Sequence, residues 1–161
     1  MTIQNTFEIL KNHFGERWST SQIDLENHGH SESYFPTHAP DAVVYPLTTA
    51  DVVYIVNVCH QSKIPIIGYG VGTSLEGHTS AIHGGICVDF SKMNKVLEID
   101  PSNMSATLEP GVTREQLNHE LRHSGLFFSV DPGANATLGG MASTRASGTT
   151  SVRYGTMREN I

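Results

Sequence analysis

Apolar side chains recur at helical spacing in three places along the chain. Phe7, Leu10 and Phe14 keep to one face of a turn-by-turn pattern that Gly15 stops, which predicts a short docking helix at the amino terminus. Val52, Ile55, Val56 and Cys59 form an i, i+3, i+4, i+7 stripe behind Thr48-x-x-Asp51, a capping box that opens a second helix. Leu117 and Leu121 lie four apart behind Thr113-x-x-Gln116, and Gly125 stands where a left-handed stop is expected. Between these helices lie β-rich runs. AVVYP at Ala42–Pro46 and Ile64–Ile67 flank the second helix and predict a β-α-β unit with parallel pairing. Gly85–Phe90, Lys95–Ile99 and Ser105–Glu109 follow as three further strands, read as an antiparallel meander rather than another crossover. Trp18–Pro40 is polar, His-rich and aperiodic, and from Leu126 onward periodicity disappears.

One parallel unit, several antiparallel strands and scattered helices make the class α+β. No internal repeat or linker interrupts the chain. The expected division is an amino-terminal helix with a polar lead-in, residues 1–37, and a main domain, residues 38–161. With 161 residues there is length for one core of ordinary size.

Charge narrows the function. The net charge of −6, with no Lys/Arg cluster, argues against a nucleic-acid footprint, so an anionic ligand would be held by local donors. Cys59 and Cys87 sit inside apolar runs and read as reduced, buried thiols. No apolar run approaches the ~20 residues of a membrane span. The amino terminus shows neither a signal core nor a transit-peptide composition, so a cytoplasmic location is expected, or a mitochondrial one if the source is eukaryotic.

Two glycine-laden stretches carry the chemistry. The first is PIIGYGVGTSLEGHT at Pro65–Thr79, and the second is DPGANATLGGMASTRASGTTSVRYG at Asp131–Gly155. In the nineteen residues Gly133–Ser151 only Asn135, Leu138, Met141 and Arg145 have longer side chains than Thr. Such a strip buries little apolar area at roughly 25 cal/mol per Å², so core packing alone explains it poorly. Gly68, Gly70, Gly72 and Gly77 follow a predicted strand, where bare backbone N–H groups can turn toward phosphate, with Thr73, Ser74 and Thr79 as hydroxyl donors. A Rossmann turn would need a third glycine where Thr73 stands and a helix immediately after. A P-loop would need lysine where His78 stands, which disfavours NTP hydrolysis. A pyrophosphate loop with no following helix and a simple glycine-rich surface turn both remain open.

Taken together, the order of the P-x-x-G-x-G-x-G-T-S-L-x-G loop, a PGVT segment before a helix, and DPGANATLGGMASTRASGTTSVRYGTMREN resembles the FAD-binding domain of the vanillyl-alcohol-oxidase (PCMH-type) flavoproteins. Within that family it is most similar to FAD-linked D-lactate dehydrogenases and the FAD-linked subunit of glycolate oxidase. PDAVVYP and SLEGHTSAIHGGICVDFSKMNKVLEID extend the likeness over Gly29–Ile161. The implied fold is a PCMH-type FAD-binding domain with a small β-α-β subdomain and a second, antiparallel-sheet subdomain, incomplete at the carboxy terminus.

The resemblance implies that Gly68, Tyr69, Gly70, Val71, Gly72, Thr73 and Ser74 wrap the FAD pyrophosphate. It implies that Pro132, Gly133, Thr137, Leu138, Gly139, Gly140, Ala142 and Ser143 run along the diphosphate and flavin, with Gly148, Val152, Tyr154 and Gly155 in the same wall. Some relatives attach flavin covalently through a histidine in the first loop; Thr73 and Ser74 occupy that neighbourhood here, so non-covalent FAD is expected. The implied activity is oxidation of a D-2-hydroxy acid, lactate or glycolate, to the 2-oxo acid, with electrons passed to a cytochrome, a quinone or oxygen. Family members are several hundred residues long, and the resemblance places their substrate cap, metal-binding histidines and deprotonating group in the part beyond Ile161. A truncated product, an excised domain or one piece of a split enzyme is therefore expected, inactive alone, and no catalytic residue is assigned. The alternatives are a flavin oxidase of the same fold with another substrate, or a non-catalytic FAD- or nucleotide-binding module that needs a partner chain.

Other polar residues weigh less. His28-x-His30 with His38 forms the only close histidine group, but without a carboxylate or thiolate at ligand spacing it reads as solvated loop, and no metal is expected. His119 and His123 face away from the apolar stripe of their helix and read as solvated. Arg145 and Arg153 are either surface residues or cations beside the flavin or a substrate carboxylate. Asp131 reads as a cap on the Pro-Gly turn rather than a base.

Overall fold

The computed structural model describes residues 3–161. They divide into two compact units, the first running to Lys92 and the second comprising Met93–Ile161.

The first unit opens with helix α1, Ile3–Phe14, which buries Thr6, Leu10 and Phe14 and ends at Gly15 with φ +55°. Phe7 meets Trp18 edge-on, ring centroids 5.5 Å apart. Trp18–Ser19 form the short strand β1. Helix α2, Gln22–Gly29, then occupies part of the segment expected to be aperiodic loop. Its N-cap is Ser21, whose hydroxyl accepts from the Asp24 N–H at 3.3 Å. No apolar stripe marks this helix; its buried residues are His28 and Gly29.

Strand β2, Ala42–Val44, is wholly buried. Helix α3, Thr49–Ser62, starts at the expected cap, with the Thr48 hydroxyl accepting from the Asp51 N–H at 3.1 Å. The Asp51 carboxylate accepts from the Leu47 N–H and pairs with Arg17 at 2.6 Å, tying the helix start to the segment before β1. Ile55 and Cys59 are the buried positions of α3, and Tyr54 and Val58 pack beside them. Val56, placed on the stripe by its spacing, is exposed; the buried face lies one residue round the helix.

Strand β3, Ile66–Tyr69, begins two residues later than the sequence suggests, and β4 spans Ile86–Asp89. The sheet order is β1-β2-β4-β3. Strands β2 and β3 flank α3 but do not pair with each other. β4 lies between them, parallel to both, with Ile86 opposite Ala42 and Ile66. The expected meander therefore starts one strand late. All four residues of β4 are buried, the pattern of a central parallel strand covered on both faces. Gly85 admits it: its φ is +104°, and a Cβ there would run into the Pro65 carbonyl, which accepts the Ile86 N–H at 2.9 Å. Leu10, Phe14, Trp18, Ala42, Val44 and Ile55 join Cys59, Ile86 and Val88 in the core of this unit. Each large side chain buried there contributes roughly 1.5–3 kcal/mol.

The second unit contains the expected antiparallel pair, β5 (Val96–Asp100) and β6 (Ser105–Leu108). Helix α4, Arg114–Leu121, is capped by Thr113, whose hydroxyl accepts from the Gln116 N–H at 3.2 Å, and buries Leu117 and Leu121. Gly125 adopts φ +75° after one further turn. The small-residue strip is partly helical, contrary to its lack of periodicity, with α5 at Leu138–Ser143 and α6 at Ser151–Tyr154. It also contributes to a core: Leu138 and Met141 are buried with Val112, Leu117, Val130 and Met157.

Candidate cofactor site

In the first unit, β3 delivers Tyr69 and then a loop with no helix behind it. The backbone N–H groups of Val71, Gly72, Thr73 and Ser74 donate to no acceptor among the described residues. Four adjacent free donors would be unfavourable in a closed turn, and they suit an anion. Gly72 has φ +68°, and a Cβ on it would lie 2.6 Å from the Tyr69 hydroxyl, so the loop folds back over its own strand end. Gly77, at φ +74°, lies under the Phe35 ring. The Ser74 hydroxyl and His78 Nδ1 are 2.7 Å apart, which fixes both side chains in the loop. Thr79, named from sequence as a hydroxyl donor, is buried and its hydroxyl has no partner among the described residues.

Beneath Tyr69 lies a polar group that sequence reasoning missed. His28 is 6% exposed, which corrects its reading as solvated loop. Its Nε2 stands 2.9 Å from Asp89 Oδ2 at the end of β4, and its Nδ1 stands 2.7 Å from the Asp24 carbonyl. Tyr45 donates to Asp24 Oδ1 at 2.8 Å, and the His28 and Tyr69 ring centroids are 4.5 Å apart. Burial pulls His28 toward its neutral form, but the bonds to Asp89 and Asp24 outweigh it and raise its pKa above the ordinary value. Burial likewise opposes ionisation of Asp89, yet His28 and Ser91 hold its pKa below the usual carboxylate range. Burial pushes the Cys59 thiol up to about 11 and Cys87 higher still, so both are inert buried thiols. No group of three His, Cys, Asp or Glu side chains among the described residues is arranged to hold a metal ion.

In the second unit the predicted residues behave differently. Pro132 and Gly133 are exposed, and the Gly133 N–H donates to Asp131 Oδ1 at 3.1 Å, so Asp131 caps the turn as expected. Thr137 and Leu138 are buried; the Leu138 N–H donates to the Val112 carbonyl at 2.8 Å and the Gly139 N–H to Pro110 at 2.9 Å. Gly140, beside the Thr137 hydroxyl, keeps a free N–H. Ala142 packs on the core, and Ser143 donates to the Gly139 carbonyl at 2.8 Å. The Gly148 N–H donates to the Ser151 hydroxyl at 2.7 Å. Val152 and Tyr154 are exposed on α6, and Gly155 ends it at φ +84°. Arg145 is exposed with φ +50°, Arg153 lies 5.1 Å over the Tyr154 ring, and His119 and His123 are exposed as expected. Arg114, which the sequence did not single out, approaches Asp131 at 3.6 Å and buries an Nε that has no partner among the described residues. A concavity of about 520 Å³ lined by Asn94–Ile99, Gln116 and Glu120 shares no residue with either glycine stretch.

An α+β domain whose glycine loop offers adjacent unpaired backbone donors suits a phosphate-bearing cofactor. Residues 40–161 match the family model of the FAD binding domain, and the chain belongs to that family. It is 49% identical over 136 residues to "Probable D-lactate dehydrogenase, mitochondrial" of Danio rerio, covering 84% of this chain and 27% of that protein. It is 41% identical over 154 residues to "D-lactate dehydrogenase [cytochrome], mitochondrial" of Arabidopsis thaliana, covering 94% of this chain and 27% of that protein. With "Glycolate oxidase subunit GlcD" of Bacillus subtilis it shares 35% identity over 124 residues, 76% of this chain and 26% of the relative. The chain thus spans little more than a quarter of the length of these relatives.

Among solved structures, p-cresol methylhydroxylase with substrate bound superimposes with a TM-score of 0.70 at 25% identity, covering 89% of this chain and 29% of that one. Alkyldihydroxyacetonephosphate synthase reaches a TM-score of 0.87 over 99% of this chain and 35% of the other, and at 24% identity it speaks for the fold alone. The fold is that of the PCMH-type FAD-binding domain, with a sheet whose strands β2, β4 and β3 are parallel and whose edge strand β1 is antiparallel, and a separate antiparallel pair. No described helix is long and apolar enough to cross a membrane.

Proposed function

We propose that this chain is the FAD-binding part of a flavin-dependent oxidoreductase that converts a D-2-hydroxy acid, D-lactate or glycolate, to the 2-oxo acid. The 49% identity to a protein named as a D-lactate dehydrogenase, over 84% of the chain, carries this reading. The residues fit the cofactor. The free N–H groups of Val71–Ser74 and the unpartnered Thr79 hydroxyl would hold the pyrophosphate, with Gly68, Tyr69 and Gly70 forming the approach. Pro132, Gly133, Thr137, Leu138, Gly139, Gly140, Ala142 and Ser143, with Gly148, Val152, Tyr154 and Gly155, are proposed as the second wall. FAD, when bound, supplies the two-electron acceptor for the hydroxy acid.

The chain's own part is to bind and orient. Neutral donors stabilise a dianion without adding cationic charge to an acidic protein. Leu138 acts from the core, where its side chain anchors α5. Binding is proposed to be non-covalent, since Thr73 and Ser74, not a histidine, follow Gly72 in the loop. A small 2-hydroxy acid is the proposed substrate, and a cytochrome, quinone or oxygen the proposed acceptor. The residue division 1–37 and 38–161 stands as our proposal for the boundary of the cofactor domain. The cytoplasm is proposed as the compartment from the two free buried thiols, with the mitochondrion of the named relatives as the alternative.

Purified protein should show a flavin spectrum or acquire one with added FAD, and release all of it on acid precipitation. Protein that gains no spectrum defeats the cofactor reading, and colour retained in the precipitate defeats the non-covalent one. Oxidation of D-lactate or glycolate by the longer protein containing this chain, but not by the chain alone, separates the enzyme from a pure binding module.

A further inference from the structure

His28 makes contacts that only one protonation state satisfies. Nδ1 faces the Asp24 carbonyl at 2.7 Å, with Asp24 Oδ1 at 3.3 Å, and Nε2 faces Asp89 Oδ2 at 2.9 Å. A carbonyl cannot donate, and Asp89, held ionised by its bonds to His28 and Ser91, only accepts, so both ring nitrogens carry protons. A neutral tautomer would aim one lone pair at an oxygen inside a buried site, which is strongly unfavourable. Both carboxylates are themselves held as acceptors: Asp89 Oδ1 takes the Ser91 N–H at 2.6 Å, and Asp24 Oδ1 takes the Tyr45 hydroxyl at 2.8 Å.

The groups facing the ring come from every element around it. Asp24 lies on α2, Tyr45 follows β2, Tyr69 ends β3 and Asp89 ends β4; the Cys87 thiol of β4 is un-ionised, and Lys92 stands 5.1 Å over the Tyr45 ring. The ring packs on Tyr69, whose hydroxyl lies against Gly72. The buried cation and the donor loop are therefore two contacts apart.

We propose that His28 is a positioning residue, an imidazolium clamped between Asp24 and Asp89 that fixes Tyr69 and through it the Val71–Ser74 loop in the shape that receives the pyrophosphate. The proposal rests on the cofactor reading above and makes FAD affinity pH-dependent. The raised His28 pKa gives the sign: the clamp is complete below about pH 6.5 and is lost as pH rises through the higher folded value.

The test uses the 161-residue chain, first without FAD. Nitrogen-15 NMR of the imidazole should show both His28 nitrogens protonated at pH 6, with a midpoint above that of a free imidazole that falls in Asp89→Asn. In His28→Gln, backbone order parameters of Val71–Ser74 should drop from roughly 0.85 to below about 0.6. A His28 that is neutral at pH 6, or loop order unchanged in the variant, overturns the clamp. FAD titration then reads its effect: wild-type Kd should rise about tenfold from pH 6 to a pH well above the His28 midpoint, and Kd in His28→Gln should be weak and flat. Identical pH profiles in the two proteins overturn the proposal. Failure of the wild type to bind FAD at any pH defeats the cofactor reading instead, while the NMR result still decides the clamp. If His28→Gln does not fold, the near-isosteric Asp89→Asn should loosen the Val71–Ser74 loop and move the pH dependence of FAD binding to lower pH, and an unmoved profile with unchanged loop order overturns the proposal.

Discussion

Gly72 and Gly148 belong to stretches of similar composition, yet they are small for opposite reasons. Gly72 turns the chain through φ +68° in a run of N–H groups that find no acceptor among the described residues. Gly148 lets one backbone lie directly on another: a Cβ there would run into the carbonyl of Asp131, which also accepts the Thr149 N–H at 3.1 Å. Gly139 similarly touches Pro110. The first stretch leaves its donors available, and the second consumes most of its own in building the unit. A run of small residues therefore marks close backbone approach, and only the hydrogen-bond ledger tells whether the approaching partner is a ligand or the chain itself.

Substitution can break this contrast. Gly148→Ala should destabilise the second unit by at least about 3 kcal/mol, since the obstacle is backbone, and urea denaturation followed by second-unit amides would measure it. Gly72→Ala should lose only about 1–2 kcal/mol, the strain of a left-handed alanine, while weakening FAD binding out of proportion. Tyr69→Phe in that background should recover part of the stability by removing the hydroxyl that the new methyl meets. Equal effects of Gly72→Ala and Gly148→Ala on both stability and FAD affinity would erase the distinction.

Acid should separate the units next. Asp89, with burial opposed by His28 and Ser91, and Asp51, with burial opposed by Leu47 and Arg17, have lowered pKa values in the first unit. Their contribution is present above about pH 4 and lost as pH falls through the lowered values, by at most about 1.4 kcal/mol per pH unit for each carboxylate. In the second unit the lowered carboxylates, half-buried Asp100 and exposed Glu159, are bonded within their own turns. The fluorescence of Trp18, the chain's single tryptophan, should report acid unfolding of the first unit before second-unit amides lose protection. The smallest effects should come from matched caps: Thr48→Ala and Thr113→Ala should each lower stability by about 1 kcal/mol, one in each unit.

What the sequence revealed follows the range of the interactions involved. Thr48 and Thr113 were readable as caps because their partners lie three residues away. Helix α2 was missed because it lacks an apolar stripe, although Ser21-x-x-Asp24 carried the same cap signal. His28 was misread beside His30 because the partner that buries it, Asp89, stands 61 residues on. The place of β4 could not be read locally either; strand runs fix which residues pair only when register and order are known, and a continuous buried run such as ICVD was the available hint. Among the residues expected at the cofactor, Leu138 and Thr137 were picked by motif position, but both are buried and Leu138 sits in the apolar core of the second unit.

The insertion of β4 between β2 and β3 has a consequence for synthesis. When the ribosome has released β2, α3 and β3, two parallel strands exist whose facing edges have no mate, because their mate is encoded beyond the glycine loop. Until Ile86–Asp89 arrives, the nascent chain carries two open apolar edges of the kind that recruit foreign strands. The loop that would later hold a cofactor is thus also the tether whose length sets how long that vulnerable interval lasts, so lengthening it should raise misassembly during expression before it alters any property of the finished protein.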